Sequence, residues 1–243
     1  MLFRTELHYN IAYNMTIETY VSNRGAFFPR TFTNILKSLD ITPPSGLKSL
    51  CTEHQKARSD IYFSIYNEML RSFRGRGFQP GQQLYEFGVG PGMLASRFKD
   101  SGLIVVGTDI KDSREVEFGN LAIARGCLPF ASGAVELISA TSVFHHIPSE
   151  EHADCLTELK RILKPGGVIL VQEDERGRNA EEQLAIRAFD RLVSGPEANS
   201  HRRKCEWIDF FQSNGLIIES MRERCYKIGP FRLNKIFFAL TLK

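Results

Sequence analysis

The chain has 243 residues, 42% of them hydrophobic and 24% charged, with a formal net charge of +3. That length carries one large domain with a sizeable core plus a small cap, and the charge is too weak for a basic field that would draw nucleic acid. Cys51, Cys127, Cys155, Cys205 and Cys225 are scattered with no C-x-x-C pair, which argues against a metal site and for the reduced thiols of a cytoplasmic protein.

The opening residues MLFRTELHYN lack the apolar core of a secretory leader. No apolar run approaches the roughly 18 residues of a membrane-spanning helix, so no membrane span is expected. Residues 1–46 are rich in aromatics, among them Phe3, Tyr9, Tyr13, Tyr20, Phe27, Phe28 and Phe32, and Thr31–Leu39 has the pattern of a short helix. From Leu47 to Phe73 the pattern is helical throughout. Ile61, Ile65, Met69 and Phe73 recur at every fourth position with Tyr62, Tyr66 and Leu70 beside them, the mark of a core-facing helix.

Gly75–Gly81 turns the chain into Leu84–Gly92, which reads LYEFGVGPG. Its first four residues predict a buried strand; three glycines at alternate positions follow, then a helix through Met93, Leu94 and Phe98 with Gly102 as its stop. Strand, glycine turn and helix allow a backbone to approach a ligand closely. Glu86 stands two residues before the first glycine, and a carboxylate there would point into the cleft above the sheet. Leu103–Asp109, reading LIVVGTD, is a second strand ending in an acid. In dinucleotide-binding folds an acid there bonds ribose hydroxyls; the competing reading is a turn or helix cap. Met93 occupies the third glycine position of the G-x-G-x-x-G fingerprint, which disfavours a nicotinamide enzyme.

Lys111–Gly119 is charged and lacks an apolar stripe, so it reads as a loop before a third strand at about Asn120–Arg125. Val135–Ser139 is the fourth strand, with Ala140 and Thr141 at its C-terminal end, where ligands of open parallel sheets bind. His145 and His146 follow. A helix capped by Ser149 runs to Lys160–Lys164 and ends at Pro165–Gly167, and Val168–Gln172 is the fifth strand. Glu173 and Asp174 lie at its end, open to a substrate-orienting or a capping role. Glu181–Leu192 has a helical pattern, Ser194–Ser200 reads as a loop, and His201–Lys204 reads as a solvated turn or an anion grip. Trp207, Phe210 and Phe211 form a short helix stopped at Asn214–Gly215. Leu216–Ser220 and Ile236–Leu242 are the last strands.

The run E-x-G-x-G-x-G at Glu86–Gly92 resembles the first motif of the class I S-adenosylmethionine-dependent methyltransferases. The resemblance continues in order and at the family's spacing: LPF at Leu128–Phe130, VELISATSVFHHI at Val135–Ile147 and LKRILKPGGVILVQED at Leu159–Asp174. It covers about Pro80–Asp174 well, Glu206–Lys243 loosely and nothing before about residue 80. It implies an α/β fold of Rossmann-like, doubly wound type, with a seven-stranded sheet, mostly parallel, and one antiparallel edge hairpin. Helical N-terminal and inserted cap segments would be added to it. Residues 1–79 would be the N-terminal segment, an aromatic lid over the site or plain packing on the sheet edge. Residues 80–243 would be the cofactor-binding domain with a cap insertion at about 175–204.

The resemblance also implies S-adenosyl-L-methionine as cofactor. Glu86, Gly88, Val89, Gly90, Pro91 and Gly92 would hold its methionine end, Asp109 its ribose, Ile110 the adenine face, and Thr141 the wall near the methyl group. The family's adenine-binding acid is missing, since Arg125, Gly126 and Cys127 stand in its place, so backbone groups near Cys127 and Leu128 are expected to serve instead. His145 and His146 are the candidate bases, with His145 expected to reach the substrate. The implied reaction is methyl transfer to an oxygen, nitrogen or carbon of a small-molecule acceptor. Methylation of RNA or protein, and a non-catalytic cofactor-binding subunit, are the alternatives.

Overall fold

From Ser45 onwards the strands, with helices between most of the early and late ones, close into a single sheet. The computed structural model describes residues 45–123, 127–184, 186, 187, 200–228 and 231–243. The helices are α1 (Ser45–Arg74), α2 (Met93–Asp100), α3 (His152–Ile162) and α4 (Lys204–Ser213). The strands are β1 (Gln83–Phe87), β2 (Ile104–Asp109), β3 (Asn120–Ile123), β4 (Val135–Thr141), β5 (Leu163–Asp174), β6 (Leu216–Ile228) and β7 (Phe231–Leu242).

The seven strands lie in the order β3-β2-β1-β4-β5-β7-β6. β1 to β5 pair in parallel, while β7 runs antiparallel to both β5 and β6. This is the expected mostly parallel, doubly wound sheet with an antiparallel edge hairpin. The strand order reverses between β1 and β4, which opens a crevice at their C-terminal ends.

Side chains alternate across the sheet as the strand period requires. Leu84, Leu137, Val168, Leu170 and Phe237 face a core built with α1 and α2. Tyr85, Ile138, Ile169, Val171 and Phe238 face a second core built with α3 and α4 around Trp207 and Phe211. Both faces are therefore covered, as a parallel sheet needs. No described helix is long and apolar enough to cross a membrane.

Several boundaries differ from the sequence expectation. β4 continues through Thr141, two residues past Ser139. β5 starts at Leu163, directly after α3, because Leu163 already pairs with Val135; Lys164–Gly167 then bulge out before Val168 pairs with Leu137. Ser149 opens a single 3-10 turn, Ser149–Glu151, and makes no side-chain cap bond; α3 itself begins at His152. β6 runs on to Ile228, past the predicted end at Ser220, and β7 begins at Phe231, ahead of the predicted Ile236, since their polar outward residues hid the alternation. β3 is assigned only to Ile123, and the expected extension to Arg125 lies outside the described residues. The expected helix Thr31–Leu39 and most of the 1–79 lid segment also lie outside them, as does the middle of the 175–204 cap. Within that cap, residues 180–184 are helical.

Candidate active site

The site begins where β1 ends. Gly88 has φ 73° and Gly90 φ 55°, a conformation that side chains rarely adopt. The backbone N–H groups of Gly88 and Val89 donate to the Thr108 carbonyl at 2.9 and 3.2 Å, which ties the turn to β2. A Cβ on Gly88 would lie 1.7 Å from Val143 Cγ2, so only glycine lets the turn after β4 come this close. A Cβ on Gly90 would meet nothing: its open side faces a cavity.

That cavity has a volume of about 460 Å3. Its floor is Glu86–Pro91, one wall is Thr108–Lys111 with Ser113 and Glu115, and the other is Thr141–Val143 with His146 and Ile147. Gln55, Arg58, Ser59 and Tyr62 of α1 close it from above. The size falls in the roughly 300–1,000 Å3 range of small-molecule sites.

Glu86 is 2% exposed, and its Oε2 has no hydrogen-bond partner. Burial, and then the neighbouring Asp109 charge, push its carboxyl up to about 8. A buried carboxylate oxygen with no partner is costly, and a cationic group entering the cavity would relieve it. Asp109 accepts from the Gly90 N–H at 2.7 Å through Oδ2 and from the Ile110 N–H at 2.7 Å through Oδ1. Each oxygen keeps lone-pair capacity for a diol. Ile110 beside it is 63% exposed, an apolar surface suited to a flat ring. Thr141 exchanges a hydrogen bond with Tyr66 of α1 at 2.9 Å, which fixes its place on the wall.

Glu86, Gly88, Val89, Gly90, Pro91, Asp109, Ile110 and Thr141 thus meet around one cavity. Four other expected residues do not line it. Gly92 is the N-cap of α2; a Cβ there would sit 3.0 Å from Phe118 and 3.2 Å from the Val116 carbonyl, so its smallness serves packing. Leu128 is buried in the core on the far face of the sheet. Its N–H goes to Glu158 at 3.1 Å and its carbonyl to Arg161 at 3.1 Å, so its backbone is held by α3. Cys127 is exposed beside it, away from the cavity. Neither Cys127 nor Leu128 is among the residues lining the cavity, and residues 124–126 lie outside the described set.

The fourth is His145. The turn Phe144–His146 is a single 3-10 turn, in which successive residues point about 120° apart. His146 consequently faces the cavity, while His145 is 1% exposed and turned inward. Its Nδ1 donates to Glu173 Oε2 at 2.6 Å. Its ring lies between those of His146, at 4.3 Å, and His201, at 4.6 Å. Glu173 also accepts from the N–H groups of Val143 and Phe144 at 3.0 and 2.8 Å. Burial would raise Glu173, but His145 and these N–H groups outweigh it and hold the carboxyl below its usual range.

Glu173 and Asp174 are both buried and turned inward, so neither orients a substrate directly. His201 is buried and Arg202 packs over Trp207 and Phe210, while Arg203 is exposed and Lys204 pairs with Glu223 at 2.8 Å, so only the second half of His201–Lys204 is solvated. The four cavity residues of α1 are absent from the sequence expectation, as are Ser142 and Val143. A one-turn spacing, Gln55, Ser59 and Tyr62 with Arg58, was the available signal for the α1 set.

Comparison with known proteins agrees with this geometry. The model of a methyltransferase domain family matches residues 85–171, the span that holds the glycine turn, Asp109 and the turn after β4. An uncharacterized methyltransferase of Geobacillus kaustophilus is 28% identical over 148 residues, 56% of this chain and 67% of that protein. One from Mycobacterium sp. strain JLS is 31% identical over 99 residues, but that match spans only 38% of the relative's length and 37% of this chain. In fold, the structure of a geranyl diphosphate methyltransferase in complex with S-adenosylmethionine superposes with a TM-score of 0.58 at 13% identity, over 84% of this chain and 94% of that one. The glycine turn, the two acids, the sheet order and the domain match agree: residues 85–171 carry a methyltransferase domain, similar to those of the class I S-adenosylmethionine-dependent methyltransferases.

Proposed function

We propose that this chain catalyses methyl transfer from S-adenosylmethionine to a small-molecule acceptor bound in the 460 Å3 cavity. The observation that carries the reading is the unpartnered Glu86 carboxylate at the floor of a glycine-lined cavity whose opposite wall bears Asp109 and the exposed Ile110. These residues fit the donor's chemistry. Glu86 would take the ammonium of the methionine end, Asp109 the ribose hydroxyls and Ile110 the adenine face, while Gly90 leaves room for close backbone approach. When bound, the donor supplies a methyl group already activated on a sulfonium.

The remaining work falls to the chain: binding both molecules, aligning them and keeping water out. The acceptor's place is the part of the cavity between Tyr62, Thr141–Val143 and His146. His146 is the group placed to receive a proton, in the role first expected of His145. The cavity's charges are mixed, with Arg58 and Lys111 set against Glu86, Asp109 and Glu115, which favours a small polar molecule over a nucleic-acid backbone.

Calorimetric titration with S-adenosylmethionine and with NADH tests the cofactor assignment. Binding of the first is expected, weakened about tenfold or more in Asp109→Ala, the scale of a lost hydrogen bond to a charged group. Unchanged affinity would remove the ribose assignment. Incubation of a metabolite extract with methyl-labelled donor tests the acceptor class. Label confined to macromolecules would overturn the small-molecule reading.

A further inference from the structure

Behind the cavity wall, a line of buried polar groups runs from the antiparallel part of the sheet to the turn after β4. Lys235 on β7 and Asp174 on β5 face each other in register, and each is 1% exposed. The Lys235 ammonium bonds Asp174 Oδ1. The side-chain Nε2 of Gln172, itself fully buried, donates to that same oxygen at 3.0 Å. Gln172 Oε1 accepts from Ser142 Oγ at 2.6 Å, and the Ser142 N–H donates to the Gln172 carbonyl at 2.8 Å. Ser142 lines the cavity and, among the described residues, is the one non-glycine with positive φ, at 53°. Two bonds to a single buried residue hold it in this sparsely populated conformation.

The ends of the line fix its polarity. An ammonium only donates and a carboxylate only accepts. Burial would raise Asp174, but Lys235 beside it outweighs burial and keeps the carboxyl well below its usual range, so the acceptor end stays ionised. Facing a carboxylate oxygen, the Gln172 amide must present its NH2 inward, which turns Oε1 toward Ser142. The single Ser142 proton is then committed to Gln172. What Ser142 Oγ retains is lone pairs.

We propose that Ser142 is a specificity-determining contact for the methyl acceptor, one that only accepts hydrogen bonds, and that Lys235, Asp174 and Gln172 are positioning residues that keep it so. The acceptor molecule is then an amine or a hydroxyl compound, which brings the N–H or O–H that Ser142 receives and so aligns the nitrogen or oxygen that is methylated. A carboxylate, which has no such proton, is turned away by the same oxygen. This inference rests on the methyl-transfer reading above and narrows its acceptor.

The test offers methyl-labelled S-adenosylmethionine with separate pools of small amines, of alcohols and phenols, and of carboxylates. Binding of the same pools to protein saturated with S-adenosylhomocysteine is read by saturation-transfer NMR. Ser142→Gly suits the local backbone and removes the hydroxymethyl group that carries the accepting oxygen. Labelling and binding within the amine or hydroxyl pools, both falling about tenfold in Ser142→Gly, is the expected result, with donor affinity by calorimetry within about twofold of the parent.

The paired variant Lys235→Met/Asp174→Leu removes both buried charges together and frees the Gln172 amide to turn. A loss of labelling of similar size, at unchanged donor affinity, is expected there too. Labelling confined to carboxylates, none in the amine and hydroxyl pools, or full labelling in Ser142→Gly would overturn the assignment. If the paired variant does not fold, Ser142→Gly decides alone. Absence of donor binding to the parent protein would instead sink the methyl-transfer reading itself.

Discussion

At the scale of single residues, Glu86 carries the most chemistry. In the free protein its carboxyl titrates at about 8, far above the 4.5 of an unperturbed glutamate. The folded chain therefore holds this proton more tightly than the unfolded chain does. The stabilising effect of protonation is fully present below about pH 4.5 and is lost as the pH rises through about 8. A cation docking on Glu86 reverses the preference and favours the ionised form. Donor binding at pH 6–7 is expected to release roughly one proton, seen as a calorimetric enthalpy that depends on the buffer's ionisation heat, and at pH 9 to release almost none. Glu86→Gln should bind more weakly and lose the buffer dependence. A wild-type enthalpy that is independent of buffer at pH 6–7 would remove the ammonium assignment.

At the scale of elements, α1 does two jobs. One stripe packs on the sheet, and the residues beside it close the cavity. Phe237 of β7, fully buried, meets Tyr62 edge-on at 5.1 Å and Tyr66 at 5.8 Å. Tyr62 lines the cavity, and Tyr66 bonds Thr141 on its wall. Phe238, the next residue, faces the opposite core and packs on Phe211 at 5.1 Å. Phe237→Ala and Phe238→Ala should each destabilise the fold by about 3–5 kcal/mol in denaturant titration. Phe237→Ala alone should also weaken donor binding, because it loosens α1 over the cavity. Equal effects of the two variants on affinity would mean that the α1–β7 contact does not reach the site.

The same scale explains what could be read in advance. The LYEFGVGPG turn and Asp109 were legible because a strand end, alternate glycines and an acid one strand later are local patterns whose geometry follows from the backbone. The cavity face of α1 was not, since Gln55, Arg58, Ser59 and Tyr62 acquire meaning only when tertiary packing lays them over β1. The inward turn of His145 was equally hidden. Two adjacent histidines look alike in sequence, and the single 3-10 turn that separates them is set by Glu173, 28 residues away. The hold of Glu158 and Arg161 on the Leu128 backbone was hidden too, since it is a contact with α3 that has no local signal.

At the scale of the whole molecule, the sheet has a core on each face, and the cavity around the glycine turn opens at the C-terminal ends of the strands. The antiparallel edge hairpin was expected only from the family that the ordered motifs resemble, and the strand order β3-β2-β1-β4-β5-β7-β6 emerges from the structure. The exposed Ile110 at that opening has a thermodynamic consequence. Its side chain is wetted in the free protein, and a purine ring laid over it would dehydrate both surfaces. Capture of the donor should therefore carry a negative heat-capacity change, measured as the slope of binding enthalpy against temperature. Ile110→Ser should flatten that slope, so the amount of water shed at the doorway becomes a quantity read from the temperature dependence of binding.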